Sequence, residues 1–444
     1  MTDAAELKAR AARVIDAHAG ELEALGRRLF AMPELGFKEH RTAAVVREWF
    51  DRMGLPHRDG LAITGSRADI AGGAPGPTVA ILGELDSLLC WDHPDRDPST
   101  GAVHACGHNA QIAMMLGAGL ALREVAPELA GRIALVAVPA EEYVELEERV
   151  ALRTAGKLEF LGGKAELTKL GAFDDVEMAM MVHTTSVPED GLLSVGGTGN
   201  GMVAKFVRYV GHASHAGGAP HRGINALYAA QIALAGINAL RETLRDEDHV
   251  RVHPIMTKGG DIVNAIPADV RLELFCRAAT IEAIVATHEK VDRALKAGAL
   301  ALGAEVEITT LAGYLPLGHD PNLVALFRSN AEAVVGKDRV TTRGHDGGST
   351  DMGDLSHFMP SIHPYTRGAA GAGHGADYRI ADYGQAVVNP AKALAFTAID
   401  LLADGAREAK RVKAEFAPKM TKDEYLAYVR RYSTVARFRA SDVA

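Results

Sequence analysis

The chain has 444 residues, 48% hydrophobic and 24% charged, enough material for two soluble globular domains. A formal net charge of −9 and the lack of a basic stripe argue against nucleic acid as a partner. No apolar run approaches the ~20 residues that cross a bilayer, and the N-terminal segment mixes acids with bases around no apolar signal core; a cytoplasmic protein without a membrane partner is expected.

Leu7, Ala11, Val14 and Ile15, followed by Leu22, Leu25 and Leu29, recur at helical spacing and predict helix through the first ~30 residues. Pro33 and Gly36 interrupt the pattern, and a second helix is predicted over 39–53. Strand-like runs follow at 62–70 and 78–82, the latter continuously apolar as in a strand buried on both faces. A helix over 112–125 and a buried strand over 132–138 complete a strand-helix-strand order that points to a layered α/β domain. The stretch 143–164 is charged and helix-prone and reads as an insertion near the site.

After about Leu193 the pattern changes to strand, helix, two strands, helix and strand, the β-α-β-β-α-β order of a small sheet with helices on one face. This places an inserted α+β domain at 196–312 between a first catalytic part, 1–195, and a second, 313–444. The second part carries helix-like segments near 320–335 and 386–404, and its C-terminal MTKDEYLAYVRRYSTVARF reads as a helical tail packed on the surface.

Strand ends and the loops after them are where α/β proteins present functional groups. Asp86, the pair Glu141-Glu142 and His183 each follow an apolar run, so they are expected to converge on one sheet edge. HACGHN adds a thiol, Cys106, with His108 two residues on and Gly107 between them for backbone freedom. His374 lies in a glycine-rich stretch. Thiolate, imidazole and carboxylate are the usual ligands of zinc-like ions, and one acid of an adjacent pair can bind metal while its neighbour faces water. The bland alternatives are a buried free cysteine beside a hydrogen-bonded histidine, and a solvated acidic turn. Three cysteines, Cys90, Cys106 and Cys276, with no Cys-x-x-Cys, argue against disulfides and redox chemistry. His215, among small residues, is a candidate donor to a developing oxyanion, and Asn264 a candidate substrate contact. His212 and His221 read as structural. GGTGNG lacks a dinucleotide fingerprint, and GGSTDMG lacks the setting of a nucleophile elbow.

Taken together, RRLFAMPELGFKEHRTA, GELDSL, HACGHN, PAEE, MMVH, GHASHAGGAPHRGINAL, GGDIVNAIP, STDMGDLS and AGH resemble, in order, the M20 metallopeptidase/amidohydrolase family. The chain is most similar to the branch of aminoacylase-like and aminobenzoyl-glutamate hydrolases. The resemblance implies a zinc-peptidase-like catalytic domain with a mostly parallel central sheet and an inserted lid and dimerisation domain. It implies that Cys106, His108, Glu142, His183 and His374 hold two divalent ions, zinc or manganese with cobalt a further option. It makes Glu141 the general base, His215 and Asn264 the lid residues that meet substrate, and Asp86 the support behind a ligand. Asn109 stands where many aminoacylase-like members have Asp. Glu84-Leu85-Asp86 stands where more distant peptidases have His-x-Asp, so a peptidase-type first ligand is missing.

The expected reaction is hydrolysis of the amide of an N-acyl-amino acid or aminobenzoyl-glutamate-like compound by metal-activated water. The alternatives are a dipeptidase or carboxypeptidase of the same family, and a catalytically silent metal-binding scaffold. A homodimer or higher homo-oligomer is expected.

Overall fold

A computed structural model describes residues 3–442. Its contacts divide them into two compact units: 3–197, 318–344 and 354–422 in the first, and 198–317, 345–353 and 423–442 in the second.

The first unit is built on a six-stranded mixed sheet. Its order is His57–Leu61, Gly65–Ala71, Ala130–Val138, Ala74–Glu84, Met178–Met180 and Ser361–Ile362. The two strands at the first edge run antiparallel to their neighbours, and the remaining four are parallel to one another. In the parallel part Glu84 pairs with Val138 and Ile81 with Met180, so the chain leaves three strands at the same edge. The central strands are apolar because both faces are covered: Val79, Ala80, Ile81 and every residue from Ile133 to Val138 are fully buried.

The N-terminal helical pattern forms two helices, Ala4–Ala17 and Ala19–Phe30, with His18 between them outside helical geometry. Leu7, Ile15, Leu22 and Leu29 line their inner side in one core with Leu116, Leu122, Ile399 and Leu402. Each such side chain contributes ~2 kcal/mol of burial. The helix predicted over 112–125 starts earlier, at His108, and nearly all of His108–Val125 is buried. A helix apolar on all sides has to be interior. Among the described residues no single helix is long and apolar enough to cross a membrane.

The second unit is a five-stranded antiparallel sheet ordered Arg251–Lys258, Asp269–Ala278, Gly201–Val210, Glu305–Ala312 and Thr434–Arg439. The helices Ala226–Ala239 and Ile281–Leu302 pack together in its core with Val207, Tyr209, Leu272 and Leu274. Four strands and both helices follow the expected order. The fifth strand corrects the reading of the C-terminus. Lys422–Arg431 is helical, but Thr434–Arg439 is a strand on the edge of Glu305–Ala312, so the tail belongs with the inserted sheet rather than the catalytic part. Thr434–Arg439 pairs with the side of Glu305–Ala312 that faces away from Gly201–Val210, and β-branched Thr434 and Val435 suit that pairing.

Candidate metal centre

Parallel strands that end at one edge bring distant residues together. Asp86 follows Ala74–Glu84, Glu141 and Glu142 follow Ala130–Val138, and His183 follows Met178–Met180. Cys106 and His108 meet them from the start of the buried helix. Gly107 sits between the two at φ 96°, with no room for a Cβ: one placed there would be 2.1 Å from Thr184 Oγ1 and 2.7 Å from the Tyr378 hydroxyl. Those hydroxyls are occupied, because both donate to the Cys106 carbonyl, at 3.1 and 3.0 Å. The segment is therefore a left-handed turn into a helix, and that turn sends Cys106 and His108 to the same place.

Two donor triads share one sulfur. Cys106, His108 and His183 form one, and Cys106, Glu142 and His374 the other, with the ligand atoms of each within 4.8 Å of one another. Cys106 Sγ lies 3.2 Å from His183 Nε2, and His374 Nε2 lies 3.2 Å from Glu142 Oε1. Glu84, His108 and Glu141 make a third group, with Glu84 Oε2 at 3.1 Å and Glu141 Oε2 at 3.9 Å from His108 Nε2. His374 is the exposed member, and its backbone is left-handed at φ 62° while its N–H donates to Ala105 O at 2.8 Å. Non-glycine residues held in that region store ~1–3 kcal/mol, a cost typical of functional loops.

Ring orientations are set from behind. His108 Nδ1 lies 2.9 Å from Asp86 O, and His183 Nδ1 2.8 Å from Thr184 O, so both rings turn Nε2 toward the cluster. Asp86 Oδ1 lies 3.3 Å from His108 Nδ1, and Asp86 Oδ2 accepts the Glu142 N–H at 2.8 Å. Asp86 thus holds one donor of each triad. His104, the other imidazole flanking Cys106, joins no triad; burial, then His108, pushes its pKa down to about 3 and leaves it neutral.

The charges of the cluster shift one another's pKa values. Burial raises the Cys106 thiol, but His183 and His108 outweigh it and bring the pKa down to about 6. Burial lowers His108, while Glu84 and the thiolate carry it well above the usual imidazole range. Glu142 raises His374 to about 11 against burial. Among the buried atoms without a hydrogen-bond partner are Glu84 Oε2, His108 Nε2 and Glu142 Oε1. Atoms that face one another at about 3 Å without hydrogen bonding are arranged as ligands around a common cation, and thiolate, imidazole and carboxylate suit a divalent transition ion. The donor set therefore fits two such ions.

His215 and Asn264 belong to the second unit, both exposed on adjacent loops. His215 bridges Ala265, and Asn264 O accepts from Ala216 N at 2.9 Å. His215 Nδ1 accepts the N–H groups of Gly217 and Gly218 at 3.1 and 2.9 Å, which leaves Nε2 as the ring's donor.

Three residues escaped the sequence reading. Glu84 is two residues before Asp86, and alternate strand residues share a face; the strand parity that selects Asp86 also selects Glu84. Lys164 and Arg149 lie in the charged run after Glu142, where nothing in the sequence separates them from surface residues. Lys164 is fully buried, with Nζ 2.6 Å from Glu84 Oε1. Arg149, also buried, donates to the carbonyls of Leu161, at 2.8 Å, and of Glu142. Asn109 serves the packing of the core. Its Nδ2 donates to Gly26 O at 3.0 Å and the Tyr383 hydroxyl at 3.1 Å, which an aspartate could not do.

The fold and the site define a metal-dependent hydrolase of amide bonds. The chain belongs to peptidase family M20/M25/M40, whose profile matches residues 83–394. It is 31% identical to the Xaa-Arg dipeptidase of Mus musculus over 451 aligned positions, covering 95% of this chain and 94% of the relative. Its identity with one of the subunits of p-aminobenzoyl-glutamate hydrolase from Escherichia coli (strain K12) is 28% over 292 positions, 63% of this chain and 62% of the relative. Among solved structures, the YXEP protein of Bacillus subtilis, described as a dinuclear metal binding peptidase from the M20 family, superposes with a TM-score of 0.63 at 21% identity. That match covers 87% of this chain and 99% of that one.

Proposed function

We propose that the chain cleaves the amide between a small acyl group and the amino group of an amino acid with the help of two divalent ions, which Cys106, His108, Glu142, His183 and His374 would hold. The observation that carries this reading is the shared sulfur: one thiolate belongs to two donor triads, each completed by an imidazole. When bound, the ions supply a polarised carbonyl and a water of lowered pKa. Cys106, His108 and His183 would hold one ion, and Cys106, Glu142 and His374 the other. Glu141, largely buried beside His108, takes the proton of the attacking water and returns it to the leaving nitrogen as the C–O bond forms and the C–N bond breaks. His215, with its donor on Nε2, suits a negatively charged substrate oxygen, and Asn264 lies on the neighbouring loop. Asp86 fixes His108 and the Glu142 backbone. Sulfur and imidazole favour zinc, while the carboxylates admit manganese or cobalt.

The dipeptidase reading is supported by the mouse relative, which aligns over nearly the whole chain. A dipeptide differs from an N-acyl-amino acid only in the free ammonium beside the scissile carbonyl, so the same machinery serves both.

We also propose a homodimer formed through the second unit. Arg251–Lys258 is an edge strand with Ile255 and Met256 exposed, and Tyr228, Ile232, Ile262 and Val263 are exposed on the same unit. An open edge beside exposed apolar groups suits a second copy. A reducing compartment such as the cytoplasm suits a working thiolate at Cys106.

The test is hydrolysis of a panel of N-acyl-amino acids, aminobenzoyl-glutamate and dipeptides by metal-loaded enzyme, with Glu141→Gln in parallel. The variant is expected to keep both ions and lose ~10²–10⁴-fold in turnover. Turnover at the wild-type rate would remove Glu141 from the mechanism, and inactivity of the wild type on the whole panel would overturn the substrate class.

A further inference from the structure

The expected five ligands leave one buried carboxylate at the cluster without a role. Glu84 is 1% exposed, and its two oxygens have opposite surroundings. Oε1 accepts from Lys164 Nζ at 2.6 Å. Oε2 has no hydrogen-bond partner, yet lies 3.1 Å from His108 Nε2, which also has none. In the neighbouring triad Glu142 Oε1, also buried without a partner, stands 3.2 Å from Nε2 of the more exposed His374.

The fold commits Glu84 to this place. It ends the strand Ala74–Glu84, and its N–H lies 3.3 Å from Gln111 Oε1 of the buried helix. Lys164 is equally constrained. The helix Gly163–Lys169 begins against the backbone of Pro139, where a Cβ on Gly163 would be 1.6 Å from Pro139 O. Only glycine permits that approach, and it brings Lys164 Nζ to the outer oxygen of Glu84. An ion pair buried so completely is weak evidence for stability, since an apolar pair of similar volume serves as well or better. Here it leaves one carboxylate oxygen aimed at the metal cluster.

We propose that Glu84 is a sixth protein ligand of the metal pair, reaching through Oε2 the divalent ion that His108 would hold, since Glu84 Oε2 and His108 Nε2 belong to one donor group. The proposal rests on the two-ion reading given above. It makes the ions unequal, with four protein ligands at one and three, Cys106, Glu142 and His374, at the other.

The test is metal binding by the full-length chain, stripped and reloaded with zinc or cobalt, comparing wild type, Glu84→Gln, and the double variant Glu84→Met with Lys164→Met. The double variant replaces the ion pair by apolar groups of similar size, so loss of metal can be separated from an unpaired lysine. Wild type is expected to bind two ions per chain. Both variants are expected to bind one as before and the other at least ~10-fold more weakly, the scale of losing a metal-supporting group. In the cobalt form the thiolate charge-transfer band should persist while the ligand-field bands change intensity with coordination number. Both ions bound with wild-type affinity and spectrum in both variants would overturn the Glu84 assignment and leave the two-ion reading intact. A wild-type chain that binds fewer than two ions would overturn both.

Discussion

Glu39 offers a quantitative check on how the site is supported. It is fully buried; Thr64 Oγ1 donates to its Oε2 at 2.6 Å, and the Ala140 N–H donates to its Oε1 at 2.8 Å. Burial first, and then the charge of Asp86, raise its pKa from 4.5 to about 7. An acid whose pKa is raised on folding binds its proton more tightly in the folded state. Its contribution to stability is therefore complete below pH 4.5 and is lost as pH rises through 7. The interval between those values corresponds to about 3 kcal/mol. Glu39→Gln keeps an acceptor for Ala140 N and carries no charge at any pH. Urea unfolding of metal-free wild type and variant, followed by circular dichroism from pH 4.5 to 7.5, should show the variant gaining about 3 kcal/mol relative to wild type across that range. Groups that do not interact with Glu39 cancel in the difference, and the remainder reads Glu39 together with its neighbour Asp86. Parallel stability profiles, or a wild type that gains on the variant with rising pH, would refute this account of Glu39.

Other perturbations read different parts of the architecture. Gly107→Ala sets a methyl group 2.1 Å from Thr184 Oγ1 at a left-handed φ; it should cost at least ~2 kcal/mol in thermal unfolding and lower bound metal. Wild-type melting and metal content would contradict the turn's role. Arg149→Met leaves the Glu142 and Leu161 carbonyls without a buried donor; a loss of ~2–4 kcal/mol in denaturant titration is expected, and one below ~0.5 kcal/mol would show that solvent replaces the guanidinium. Removal of the chain from Thr434 onward should cost little in stability, since that strand is mostly exposed and its pairs Arg437–Glu307 and Arg439–Glu305 are solvent-screened surface contacts. The uncovered edge should instead raise concentration-dependent association in light scattering. Loss of the folded second unit would show that the fifth strand holds it together.

Hydrophobic period and order alone made much of the architecture legible. Continuous apolar runs marked the central strands because helices cover both their faces, and the β-α-β-β-α-β order marked the inserted sheet. The C-terminal strand was not legible. Tyr425, Leu426 and Val429 recur at helical spacing up to Arg431, and nothing in the residues that follow says that an edge of Glu305–Ala312 is open to them. Pairing between segments over a hundred residues apart is a property of the folded sheet.

The site divides along the same line. By itself the sequence determined which donors exist: a thiol with a histidine two residues on, polar residues at the ends of buried strands, and a histidine among glycines. Local chemistry and strand parity are written in the chain. Only the tertiary structure decided that one sulfur lies in two triads, that His104, though buried, joins neither, and that a run resembling a solvated acidic turn delivers two buried cations, Arg149 and Lys164. The physical reason is that a charge's role depends on what surrounds it once water is excluded, and burial arises from packing between segments that the sequence keeps apart.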